Sequence, residues 1–152
     1  MDIAKEYYKI LTDIWKTYKK HLPEIEQELA VAAGVPAVTM NFIPHLVPVN
    51  RGIHSTIILN AKDGADAATA LDALNAAYAD EYFVRVLKPG KLADTKHITN
   101  TNRCEIGVAY DARTNKLIVS SAIDNLCKGA SGQAVQNMNI MCGFPEHTAL
   151  QA

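Results

Sequence analysis

The chain has 152 residues, 49% of them apolar and 20% charged, with a net charge of −1. That length builds one ordinary globular core, so little charge leaves no electrostatic footprint for nucleic acid or an anionic membrane, and no apolar run approaches the ~18 residues of a bilayer span. Cys104, Cys127 and Cys142 are an odd count without C-x-x-C spacing; they read as reduced thiols of a cytoplasmic protein, and no metal site is expected.

The first stretch, MDIAKEYYKI, carries acids and no apolar h-region, so it is not a secretory signal. Residues 2–20 read as an amphipathic helix. Ile3, Tyr7, Ile10, Leu11, Ile14 and Tyr18 recur at helical spacing, Asp2 is a candidate N-cap, and Lys16, Lys19 and Lys20 crowd the last turn against the macrodipole. Such a helix packs on a surface or offers a self-association face. A second helix opens at residues 21–29, HLPEIEQEL, with Pro23 at its first position, glutamates in its first turn and Gly34 at its end.

Residues 35–42 read as an extended run. Pro44 and Pro48 then bracket His45 and restrict the residues before them, Ile43 and Val47. A histidine held in so rigid a loop is pre-oriented for acid/base work, although a loop histidine is more commonly just packed or hydrogen-bonded. Arg51 beside Gly52 offers a fork for carboxylate or phosphate, or a surface salt bridge.

Residues 53–61 read as a strand, 63–80 as an alanine-rich helix, and 83–87 as a short strand stopped by Pro89-Gly90. Residues 91–103 are polar and assign to no element; they hydrogen-bond either a ligand or their own backbone. Residues 105–110 and 116–123 read as strands flanking the hairpin loop 111–115. In NLCKGASGQAVQNMNIMCG, residues 125–143, Lys128 to Gly132 form a small-residue loop expected to hold free backbone N–H groups. Residues 133–141 follow as a helix that Gly143 ends in the left-handed conformation. An anion can sit at such a helix start, though most glycine turns only turn. This order predicts an α+β fold, a mostly antiparallel mixed sheet with helices on one face. No G-x-G-x-x-G follows a strand, so no dinucleotide-binding unit is expected.

D-N-L-x-K-G-A-x-G-Q-A-V-Q-N-M-N at residues 124–139 resembles the closing signature of the N-acetyl-gamma-glutamyl-phosphate reductases. H-x-P-E-I-E-Q-E-L (21–29), F-x-P-H-L-V-P-x-N-R-G (42–52), Y-F-V-R-V (82–86), T-K-H (95–97) and T-N-R-C-E-I-G-V (101–108) follow that family's order, so the resemblance covers roughly residues 21–150. It implies a carboxy-terminal substrate-binding and dimerisation domain, similar to that of glyceraldehyde-3-phosphate dehydrogenase, behind an atypical helix at residues 1–20. The family reduces N-acetylglutamyl 5-phosphate to the 5-semialdehyde with NADPH, in arginine biosynthesis, through a cysteine thioester. By that resemblance His45 is the acid/base group, Arg51 binds substrate carboxylate or phosphate, and Arg103, His21 and Glu24 are further substrate-side residues. Gln133 and Asn137 would touch the nicotinamide end of NADP.

Two parts of the family pattern are missing: the Rossmann domain, and the nucleophilic cysteine in its G-C-Y-P-like block. Alone, the chain is expected to be inactive, to bind NADP weakly at most, and to form a homo-oligomer, with a separate Rossmann domain as a further partner. The alternative is a stand-alone, non-catalytic binding or scaffolding homo-oligomer on the same fold.

Overall fold

A 31-residue helix, α1 (Ile3–Ala33), begins the computed structural model, which describes residues 3–152, with side chains at residue 16 and from residue 18 onward. The expected Asp2 cap and the apolar face from Ile3 to Ile14 lie outside the described residues and side chains. The chain divides into two units, residues 1–48 and 49–152, and each is described by itself.

In the first unit the sequence predicts two helices meeting at Pro23, but α1 runs through that proline. Proline suits a first helical turn because it lacks an N–H, and in an interior it usually costs about 3 kcal/mol. The residue pattern is the same in both cases, so the sequence could not tell them apart. His21 and Glu24 pair across the position, Nδ1 to Oε2 at 3.2 Å. Lys16, Lys19 and Lys20 consequently lie inside α1 and not in a last turn. The helix ends where expected. Gly34 takes φ +64°, its N–H donates to Val31 O, and Val35 N–H donates to Ala30 O, the paired bonds of a Schellman motif. Residues 35–42 join no strand among the described residues. Met40 N–H instead donates to Glu26 Oε1 at 3.0 Å, so this glutamate ties the extended run to α1.

The second unit holds β1 (Ile53–Asn60), α2 (Ala67–Ala77), β2 (Val84–Val86), α3 (Thr95–Ile98), β3 (Cys104–Asp111), β4 (Lys116–Ile123) and α4 (Gly132–Met141). One four-stranded sheet runs β1-β4-β3-β2; β4 is antiparallel to both neighbours, and β2 lies parallel to β3. This is the predicted α+β class. The β3–β4 hairpin closes because the Asp111 carboxylate accepts from Arg113 N–H and Thr114 Oγ1, while Asn115 takes φ +53°. α2 starts later than its alanine-rich pattern, at a reciprocal capping box between Asp66 and Thr69.

Register places His54, Ala122 and Glu105 on one sheet face, with Thr56, Ser120 and Gly107 beside them. The segment after β2 crosses this face. Ala93 N–H donates to Ser120 Oγ at 2.9 Å, and His54 Nε2–H donates to Ala93 O at 3.2 Å. A Cβ on Gly107 would lie 2.5 Å from Lys91 O, so the close crossing requires glycine there. Thus residues 91–103, unassigned from sequence, are a packed crossover containing α3. Asp94 caps it through Lys96 N–H, and Ile98 is completely buried with Ala122.

Candidate functional site

Three loops of the second unit meet at Asp124, which directly follows β4 and is completely buried. Its Oδ1 accepts from Leu126 N–H at 2.8 Å and Cys127 N–H at 3.1 Å. Oδ2 accepts from Asn100 N–H at 2.7 Å and faces Arg51 Nη1 at 3.4 Å. Burial pushes the Asp124 carboxyl upward, but these amides and the Arg51 charge outweigh it, leaving it below the ordinary aspartate value. Arg51 Nη1 also donates to Asn100 Oδ1, and Asn100 takes φ +64°. The next residue, Asn125, accepts from Gly52 N–H at 2.7 Å. Gly52 takes φ +116°, and a Cβ there would meet Thr95 at 2.7 Å, so this glycine is needed twice over. The Arg51 side chain stays about one-third exposed, with its remaining N–H groups suited to a planar anion.

The loop before α4 departs from expectation. Its backbone N–H groups were expected free, yet residues 127–131 wind into a π-helical turn. Gly129 N–H donates to Asp124 O, Ser131 N–H to Leu126 O and Gly132 N–H to Cys127 O. Leu126 and Cys127 spend theirs on Asp124. Those amides offer no cradle for an anion. A cavity of about 230 Å³ lies beside them, lined by Asn100, Asn102, Cys127, Gly132, Val135 and Leu150 among others.

α4 has two polar faces. Gln133 and Asn137 are exposed, and Asn137 Nδ2 donates to Gln133 Oε1 at 2.9 Å. Gln133 keeps both N–H groups of Nε2, and Asn137 keeps Oδ1 and the second N–H of Nδ2. Gly132, Gln136 and Asn139 face inward. Gln136 Oε1 accepts from Asn102 Nδ2 and from Lys128 Nζ, and its Nε2 donates to Glu146. Asn139 Nδ2 donates to Glu146 O and Thr148 O, binding the tail to α4. Asn102 Oδ1 has no hydrogen-bond partner and lies 2.2 Å from where a Gly132 Cβ would be. The glycine therefore lets the carboxamide pack on its Cα. Sequence reading took Asn100 only as one of the polar residues 91–103 that bond a ligand or their own backbone, and it missed Asp124, Gln136 and Asn139. The signal available for two of them was spacing, because Gly132, Gln136 and Asn139 recur at i, i+4 and i+7 on one helix face.

The other predicted residues lie on other elements. His21 and Glu24 pair with each other on α1. His45, exposed and in the first unit, has Nδ1 2.9 Å from Ile43 O. A carbonyl only accepts, so Nδ1 carries the proton and Nε2 of the neutral ring keeps its lone pair. Arg103 donates its amide to Thr101 Oγ1. Cys104 Sγ lies 3.5 Å from Ser121 Oγ, Cys127 is half-buried, and Cys142 is exposed. No group of three potential metal ligands occurs among the described residues, and no helix of the described residues is long and apolar enough to cross a membrane.

Residues 8–125 match the family described as the semialdehyde dehydrogenase, dimerisation domain. The chain belongs to this family. It is 55% identical over 154 aligned residues to the N-acetyl-gamma-glutamyl-phosphate reductase of Geobacter metallireducens, covering 97% of this chain and 44% of that relative. The reductase of Akkermansia muciniphila is 56% identical and that of Geobacter sp. strain M21 53% identical, each over 131 residues, 86% of this chain and 38% of theirs. The semialdehyde dehydrogenase dimerisation domain thus accounts for most of the chain, which spans well under half the length of these curated relatives.

Proposed function

We propose that this chain is the substrate-binding and dimerisation part of an N-acetyl-gamma-glutamyl-phosphate reductase, a cytoplasmic enzyme of arginine biosynthesis. The observation that carries the reading is identity of 53–56% to reductases of that name, spread over at least 86% of the chain. Arg51 binds a carboxylate or phosphate oxygen of N-acetylglutamyl 5-phosphate through the N–H groups that Asp124 and Asn100 leave open. His45 is the acid/base group, and its bond to Ile43 O supports this by leaving Nε2 free to take a proton. Arg103, His21 and Glu24 are secondary substrate contacts.

NADP would supply the hydride, and the residues present fit only part of it. The donor left on Gln133 and the acceptor left on Asn137 complement a carboxamide such as that of nicotinamide. The amides of Leu126, Cys127, Gly129, Ser131 and Gly132 are spent on the turn itself, so the diphosphate would need a dinucleotide-binding domain outside this sequence. The nucleophilic cysteine is assigned there as well, which leaves the chain without turnover by itself. Homo-oligomerisation is supported by β1, where Ile53, Ile57 and Leu59 share one face and are all more than 40% exposed, a row of apolar side chains suited to burial against a second copy.

Calorimetric titration of the 152-residue chain with N-acetylglutamate tests the reading. Saturable binding is expected, weakened about tenfold or more by Arg51→Ala, the usual loss for a hydrogen bond to a charged group. A wild-type titration without heat at millimolar ligand overturns it.

A further inference from the structure

Asp124 and Asn125 open the closing signature, and neither has yet been given a role of its own. We infer that Asp124 is the positioning residue for Arg51, and that Asn125 fixes the backbone from which Arg51 projects. This rests on Arg51 being the anion-binding group.

The wiring supports it. Asp124 Oδ1 is consumed by two amides of its own turn, and Oδ2 by Asn100 N–H. Those three bonds come from backbone, so the carboxylate is fixed before any arginine arrives. It then holds Arg51 twice, directly at 3.4 Å and through Asn100, whose amide it anchors and whose Oδ1 accepts from the same Nη1. The adjoining side chain, Asn125, secures Gly52 at 2.7 Å. Two consecutive residues just after β4 therefore grip two consecutive residues just before β1, one by side chain and one by backbone. Nη1 takes both holding contacts, which leaves Nη2 and Nε of the one-third-exposed side chain for a ligand. Holding a long, flexible side chain in its binding geometry beforehand lowers the ordering cost when a ligand binds.

The first test needs no ligand. In the ¹⁵N spectrum of the whole chain, Arg51 guanidinium signals should be resolved and slow to rotate. They should merge in Asp124→Asn and in Asn100→Gly, the latter keeping a residue that tolerates φ +64°. Rotationally averaged Arg51 signals in the wild type overturn the clamp. The second test is a double-mutant cycle on N-acetylglutamate affinity. Asp124→Asn should weaken binding about fivefold to tenfold with Arg51 present and less than about twofold in an Arg51→Ala background. Equal losses in both backgrounds would make Asp124 a structural residue only. If Asp124→Asn fails to fold, Asn100→Gly takes its place in the cycle with the same criterion. Resolved Arg51 signals in a chain that binds no ligand would refute the anion-binding role of Arg51, and the purpose of the clamp with it.

Discussion

Two carboxylates are buried in the second unit, and they are held in opposite ways. Asp124 rests on three backbone amides and one guanidinium. Glu105, only 1% exposed, rests on Arg85 Nη1 at 3.4 Å and His97 Nδ1 at 3.5 Å, and its Oε2 makes no hydrogen bond. Both partners of Glu105 are more than half exposed. Backbone donors cost no side-chain entropy and are fixed once the loops are fixed. Long exposed partners must be ordered, and water screens them. The lesson is that burial alone does not mark a carboxylate as organising. The donor type decides whether it holds loops together or merely sits on a sheet face.

The largest expected effect breaks the Asp124 side of this contrast. Asp124→Ala leaves three amides without their acceptor, and should cost about 3–5 kcal/mol in urea unfolding followed by far-ultraviolet circular dichroism. The same junction has a pH signature. The folded Asp124 carboxyl lies below its ordinary value of 3.8, so its contribution is complete above 3.8 and is lost as pH falls through the lower folded value. The stability gap between wild type and Asp124→Asn should therefore narrow only in that acid range. A gap that narrows at neutral pH would contradict the assignment.

Glu105→Gln keeps the shape and removes the charge. Its expected change is about 1 kcal/mol or less, because a poorly satisfied buried charge contributes little net stability. A loss as large as that of Asp124→Ala would erase the contrast. The smallest effects belong to Arg85→Ala and His97→Ala, each about 0.2–1 kcal/mol in the same unfolding experiment. Similar values for both would show that neither partner dominates.

Much of the fold was legible in the residues. Strands, the hairpin, the late helix and both glycine helix ends follow from local rules, and the α+β class followed from their order. The misreadings share one cause. Pro23 looked like a helix start because proline is favoured in a first turn, and the surrounding residues carry no sign that α1 runs through it. The loop at residues 127–131 looked rich in free amides because the sequence does not reveal that Asp124 and the carbonyls of its turn accept from them.

The candidate site was half legible. Arg51 and His45 stood out as charged or titratable side chains beside conformationally restricted neighbours. Asp124 and Asn100 did not, since their role depends on loops separated by up to 73 residues coming together. Residues 91–103 were opaque for the same reason: their fit over Gly107, Ser120 and Ala122 is a property of the sheet face they cross.

By itself the sequence determined where chain direction changes, which residues have helical or strand preference, and the motifs shared with the reductases. These depend on backbone preference within a few residues. The tertiary structure alone decided which polar groups work inward. On α4, Gln136 and Asn139 bind the tail while Gln133 and Asn137, of the same chemistry one position or more away, face out. An amide or carboxylate carries the same hydrogen-bonding capacity wherever it lies, and only the placement of a distant partner decides whether it holds the fold or remains free for a ligand.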